Sequence, residues 1–184
     1  IKKNPNLNVT PKGYAAIGPI DWLAFNTKDG KTADVNVRRA IAYAIDRNFI
    51  LKAIMLGVAD EARTGIHPGS PYYEPNVETY DLNIDKANKI LDDAGYAKGS
   101  DGMRFGLTVD FGWPGLRPNA EYTKAALKKI GIDVTVRPSA DFPTWAKTVS
   151  NHNFDLTWDT VFNWGDPVIG VHRTYQSSNI KKGV

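Results

Sequence analysis

The sequence predicts an α/β domain: an open, mostly parallel sheet with helices on both faces. The first observation is an alternation. "MRFGLTVDF", "RPNAEYTKAALKKIG", "IDVTVRP", "DFPTWAKTVSN" and "FDLTWDTVF" follow one another between Met103 and Phe162. Strand, helix, strand, helix, strand at this spacing implies right-handed crossovers and parallel strands. The second is "AIAYAI" (Ala40–Ile45), apolar on nearly every face, as a helix buried on more than one side must be. The third is bulk composition. With 184 residues, 42% apolar and 23% charged, the chain suffices for one packed domain or one lobe of something larger.

The elements follow in order. Residues 1–19 are rich in Pro and Gly and read as a connector. "IDWLAFN" (Ile20–Asn26) is apolar and aromatic and runs into the turn-prone "TKDGKT", so it is a strand. A helix is expected next, capped by Asp34 or Asn36 and ended by Gly57. Val37, Ala40, Ile41, Ala44, Ile45 and Met55 recur along it at helical spacing. Residues 58–82 hold three prolines and two glycines, which exclude a long regular element. A loop of that length is usually functional or wraps another part of the protein. "IDKANKILDDAGY" is a short helix with Ile84, Ala87, Ile90, Leu91 and Ala94 on one face and Gly95 at its exit. In the helix before Gly131, Thr123, Ala126, Leu127 and Ile130 face inward. Alternation along the last strand sends Leu156, Trp158, Thr160 and Phe162 to one face, which points Trp158 and Phe162 to the core.

Several function classes are disfavoured. The net charge is only 23 − 20 = +3, scattered without a basic stripe, so nucleic acid is not expected as a partner. Without cysteine there is no disulfide framework, thiolate metal site or cysteine nucleophile. No GxGxxG, GxxxxGK[ST] or GxSxG motif occurs. His67, His152 and His172 are far apart and lack metal-ligand spacing, so neither a metal nor a cofactor is expected. The sequence shows neither a membrane-spanning apolar run nor a signal peptide, and both ends read as cuts in a longer chain. One enzyme-like set remains as an alternative: Asp155, Thr157 and Asp159 share a strand face near His152, a grouping that suits acid–base work.

In parallel sheets, ligands sit beyond the carboxyl ends of the strands. "GWPGLRP", "SADF" and "NWGDP" fall there. Loops are usually polar, yet these carry Trp113 and Trp164 among Gly and Pro. Aromatic walls with a few polar anchors suit a polar organic solute.

Together these segments resemble the family 5 extracellular solute-binding proteins of ABC transporters, the oligopeptide-, dipeptide- and nickel-binding type. "LAFNT…DVNVRRAIAYAIDRNFI" is similar to the family signature. "YDLNIDKANKILDDAGY", "ALKKIGIDVTVRPSADFPTW" and "FDLTWDTVFNWGDP" resemble later family segments in the right order. The likeness runs from Asp21 onward. It implies one lobe of a two-lobed periplasmic-binding-protein fold (type II, cluster C), which closes on its ligand like a hinge. Residues 20–184 would form the C-terminal lobe. The N-terminal lobe of the same protein and the ABC permease subunits would be its partners, and its location periplasmic, or extracellular with a lipid anchor. No chemistry would be done on the ligand.

The resemblance also implies site residues. Peptide binders pair the ligand's α-amino group with an aspartate of the loop after the last strand. Asn163 stands at that position here, three residues before Asp166, and an Asn lacks the full charge that holds an ammonium. Asp159 or Asp166 could serve instead. Arg117, in a segment that faces the ligand in the family, could take a carboxylate. The expected ligand-binding set is therefore Asn163, Trp164, Asp166, Trp113 and Arg117. The ligand is a peptide, an opine or an oligosaccharide, with Asn163 and the two tryptophans favouring the latter two. No residue argues for nickel or haem.

Overall fold

A computed structural model describes residues 4–8, 17–164, 166, 168–170 and 172–179. Most of the expected connector lies outside the described residues. The elements are β1 (Pro19–Phe25), α1 (Val35–Ala44), α2 (Arg47–Phe49), α3 (Ile84–Asp93), β2 (Phe105–Phe111), α4 (Arg117–Lys128), β3 (Ile132–Pro138), α5 (Phe142–Ser150), β4 (Leu156–Phe162) and α6 (His172–Tyr175). The sheet order is β1-β4-β2-β3. β2 runs parallel to both β3 and β4, and β1 closes the edge antiparallel to β4. The four expected strands and the parallel core are thus present.

β4 is covered on both sides because adjacent residues point to opposite faces. On one face the Trp158 indole N–H donates to Thr123 Oγ1 of α4 at 2.9 Å. On the other, the Trp145 indole N–H of α5 donates to Thr157 Oγ1 at 2.8 Å. Helices therefore lie on both faces, α4 on one and α5 on the other. The main core sits on the α4 side, where α1 packs against α3 and α4. Ala87, Leu91, Thr123, Ala126, Leu127 and Ile130 are buried, as the helical spacing predicts. Gly95 and Gly131 stand at the helix exits with positive φ.

One element departs from expectation. The helix predicted from Asp34 to Gly57 is broken. Asp34 does cap its start, accepting from Asn36 N–H at 2.8 Å. But α1 ends at Ala44, Ile45 is extended, and Asp46 begins a second helical turn by accepting from Phe49 N–H at 3.1 Å. A π-type turn, Ile50–Ile54, follows. The cause is local competition: an aspartate offers the backbone an alternative acceptor and favours a cap over a helix interior. The Tyr122 hydroxyl fixes the break by accepting from Asp46 N–H at 2.8 Å. Residues 58–83 form no helix or strand, as the prolines require.

The clamp on β4 is testable by denaturation. Trp158→Ala is expected to remove about 3–5 kcal/mol of stability through the cavity it leaves. Trp158→Phe keeps most of the packing and loses the bond to Thr123, so it should cost about 1–2 kcal/mol. Equal losses in the two variants would mean that packing is not what Trp158 contributes.

Candidate functional site

The carboxyl end of β2 lies beside β4, with Phe111 opposite Trp158, and β4 runs on to Phe162. Beyond them the chain displays aromatic rings. Trp113 follows β2 and is 48% exposed. Its indole N–H points at Thr160 Oγ1 of β4 at 3.4 Å. Its ring lies across the following turn, so a Cβ on Gly115 would fall 1.8 Å from a ring carbon. Phe162, two residues past Thr160 on the same face, is 42% exposed. That corrects the expectation that it joins Trp158 in the core: alternation gives its face, but β4 has by then run past its helical cover. The Phe162 ring instead stands 5.7 Å from that of Trp164, tilted by 37°. Trp164 is 55% exposed. Its φ is +52°, a left-handed backbone costing a bulky residue roughly 1–2 kcal/mol.

The polar candidates divide. Asn163 is only 2% exposed; its side-chain amide bonds inside the fold, to Gly18 O and His67 N–H. Asp166 closes its own loop, with Oδ1 accepting from Val168 N–H at 2.8 Å. Arg117 opens α4, where its Nε stands 3.7 Å from Glu121 Oε1 and both side chains are exposed. The rim thus gathers Trp113, Phe162 and Trp164. Asn163 is turned inward beneath it.

A groove of about 290 Å³ continues from Phe162 and Trp164 along the other face of β4, between β1 and α5. Trp22, Ala24, Trp145 and Asp159 line it. The Trp22 indole N–H is buried there without a partner among the described residues. Sequence reasoning does not find Trp22 or the junction with Gly18 and His67, and it assigns Phe162 to the core. Trp22 could have been found as an aromatic on an edge strand. The junction joins segments too distant in sequence to leave a local signal.

Two residues of the enzyme alternative, Asp155 and Thr157, are bonded to neighbours. Asp155 precedes β4, at the end of the sheet opposite the rim. Its Oδ2 accepts from both Thr108 N–H and Thr108 Oγ1–H at 2.8 Å. Thr157 is bonded to Trp145. The deepest carboxylate is Asp110, paired bidentately with Arg137 at 2.9 and 2.8 Å. Burial pushes the Asp110 carboxyl above its ordinary range, Arg137 pulls it back, and Asp155 adds a smaller upward push. Asp155 and Asp110 thus tie strand segments together, while Thr157 and Asp159 border the groove. Among the described residues no group of three or more His, Asp or Glu is placed to hold a metal ion.

Known proteins resemble this chain in sequence and fold. The dipeptide-binding protein of Escherichia coli K12 is 29% identical over 137 residues, which are 74% of this chain and 25% of that protein. Heme-binding protein A of Haemophilus influenzae is 31% identical over 80 residues, 44% of this chain and 15% of that protein. Among solved structures, the periplasmic binding protein DppA of Helicobacter pylori, in complex with the peptide STSA, superposes with a TM-score of 0.72 at 26% identity, over 79% of this chain and 27% of that one. The chain therefore spans about a quarter of the length of the dipeptide-binding relative. Residues 1–182 match the description "bacterial extracellular solute-binding proteins, family 5 middle", and the chain belongs to that family.

Proposed function

We propose that this chain is the C-terminal lobe, residues 20–184, of the substrate-binding component of an ABC importer. The protein captures a polar organic solute between two lobes, closes, and hands it to the permease on the outer side of the membrane, periplasmic or lipid-anchored. A peptide, an opine or an oligosaccharide fits. The observation that carries this reading is the rim itself. Three aromatic rings, Trp113, Phe162 and Trp164, are left open to water at the carboxyl ends of parallel strands, the position where open α/β sheets bind ligands. Family membership over residues 1–182 supports it.

In this reading Trp113 and Trp164 supply flat apolar surface for the ligand, and the loop from Asn163 to Asp166 carries Trp164. Arg117 receives a carboxylate. Its present partner Glu121 holds it only by an exposed ion pair, and such pairs are worth under about 1 kcal/mol, so the guanidinium is easily released to a ligand.

The direct test is a thermal-shift screen of the two-lobed protein against di- and oligopeptides, opines, oligosaccharides and Ni²⁺. A ligand at about 100 times its Kd adds roughly 2.7 kcal/mol of stability. No shift with any organic solute, or a shift with Ni²⁺ alone, would refute the proposed ligand class. For a ligand found this way, Trp164→Ala should weaken binding by more than about 1 kcal/mol, as loss of an aromatic anchor does. An unchanged Kd by calorimetry would return Trp164 to a packing role.

A further inference from the structure

Asn163 stands where three distant stretches of chain meet. Its side-chain N–H donates to Gly18 O at 3.2 Å, and its backbone N–H donates to the same oxygen at 3.3 Å. Its Oδ1 accepts from His67 N–H, in the long loop before α3, at 3.4 Å. The next residue, Trp164, donates its N–H to Ile17 O at 3.0 Å while held at φ +52°.

The space around the junction is shaped for this contact. Gly18 is itself left-handed at φ +55°, and a Cβ there would lie 3.2 Å from Asn163 Cβ and 3.3 Å from His67 Cβ. A Cβ on Gly170 would fall 2.0 Å from Phe162 O and 2.7 Å from Asn163 Cα. The loop after β4 is thus closed tightly from behind, and both ends of the Asn163 amide are used there.

We infer that Asn163 is a positioning residue: it meets no ligand, and it locks the loop so that the Trp164 indole is held beside Phe162, ready to receive one. The inference rests on the reading of the rim as a ligand wall. Without the lock the left-handed state of Trp164 is one of several, and apparent affinity falls by the fraction of molecules that hold it. The lock also accounts for the residue type. An aspartate would set a carboxylate against the Gly18 carbonyl oxygen, whereas the amide donates to it. On this account Asn163 answers the carbonyl behind it and not the charge of the solute in front.

Amide hydrogen exchange on the protein carrying this chain tests the lock without a ligand. In the wild type, the Trp164 amide is expected to exchange at least about tenfold more slowly than an unprotected amide, although its side chain is exposed. In Asn163→Asp at pH 7 that protection should fall about tenfold, while the amides of Thr157–Val161 keep theirs. Lowering the pH until the new carboxyl protonates restores a donor and should restore the protection, a recovery that a general loss of packing would not show. Affinity for dialanine, used as the probe, should fall with the Trp164 protection.

An unprotected Trp164 amide in the wild type would overturn the inference by itself, whether or not the variant folds. So would tighter dialanine binding by Asn163→Asp at pH 7, the mark of a direct contact with the ligand's ammonium. Absence of dialanine binding by the wild type bears on the peptide part of the proposed function alone. The exchange data still decide the role of Asn163.

Discussion

The structure depends on one constraint: β4 must bury both of its faces. An indole N–H inside a protein needs an acceptor, and leaving a buried polar group unpaired costs about 1–3 kcal/mol. Thr157 and Trp158 meet that demand in opposite directions, one accepting from Trp145 of α5 and the other donating to Thr123 of α4. Each bond fixes where a helix lies along the strand. With α4 and α5 so placed, β2 ends beside Trp158 while β4 runs on to Phe162, and the segment after β2 emerges against Thr160 of β4. The aromatic rim follows from packing far below it.

The tryptophans show how sequence neighbours divide between packing and display. Trp145 and Trp158 are buried and bonded through the indole nitrogen. Trp113 and Trp164 lie beyond the last helical cover and stay half exposed. What separates the pairs is the backbone. Trp145 and Trp158 lie within regular elements. Trp113 precedes a proline and a glycine that leave room for its ring, and Trp164 adopts a left-handed conformation held by neighbours at Ile17 and Asn163. A strained, water-facing aromatic is the arrangement that stability alone would remove, and such strain collects at functional sites.

Much of this was legible in the sequence, because periodicity reports the local environment. The strands, the inward faces of α3 and α4, and the glycines at their exits can all be read from spacing. Three features could not. The break at Ile45–Asp46 depends on a tyrosine 76 residues away that accepts the Asp46 N–H, and apolar spacing continues across it unchanged. Phe162 shares its face with Trp158, but where helical cover ends along a strand is a tertiary fact. Asn163 is the clearest case. Its position beside two aromatics and an Asp-Pro points to the ligand, while its partners, Gly18 and His67, lie 145 and 96 residues away.

The exposed rim also bears on how a lobe of this kind would work within the proposed importer component. Covering an indole that is half open to water removes on the order of 100 Å² of apolar surface, worth about 2–3 kcal/mol at roughly 25 cal/mol per Å². That free energy is not available to the lobe alone, because a solute resting on one wall leaves its outer side wet. In the proposed two-lobed protein it would be released only when a second wall closes over the solute. A rigid rim then has a specific advantage. If the loop were already ordered by Asn163 before binding, little conformational entropy would be lost on closure. The surface gained by covering Trp113 and Trp164 would be spent on favouring the closed state over the open one, and a ligand shifts that equilibrium only by its differential affinity for the two.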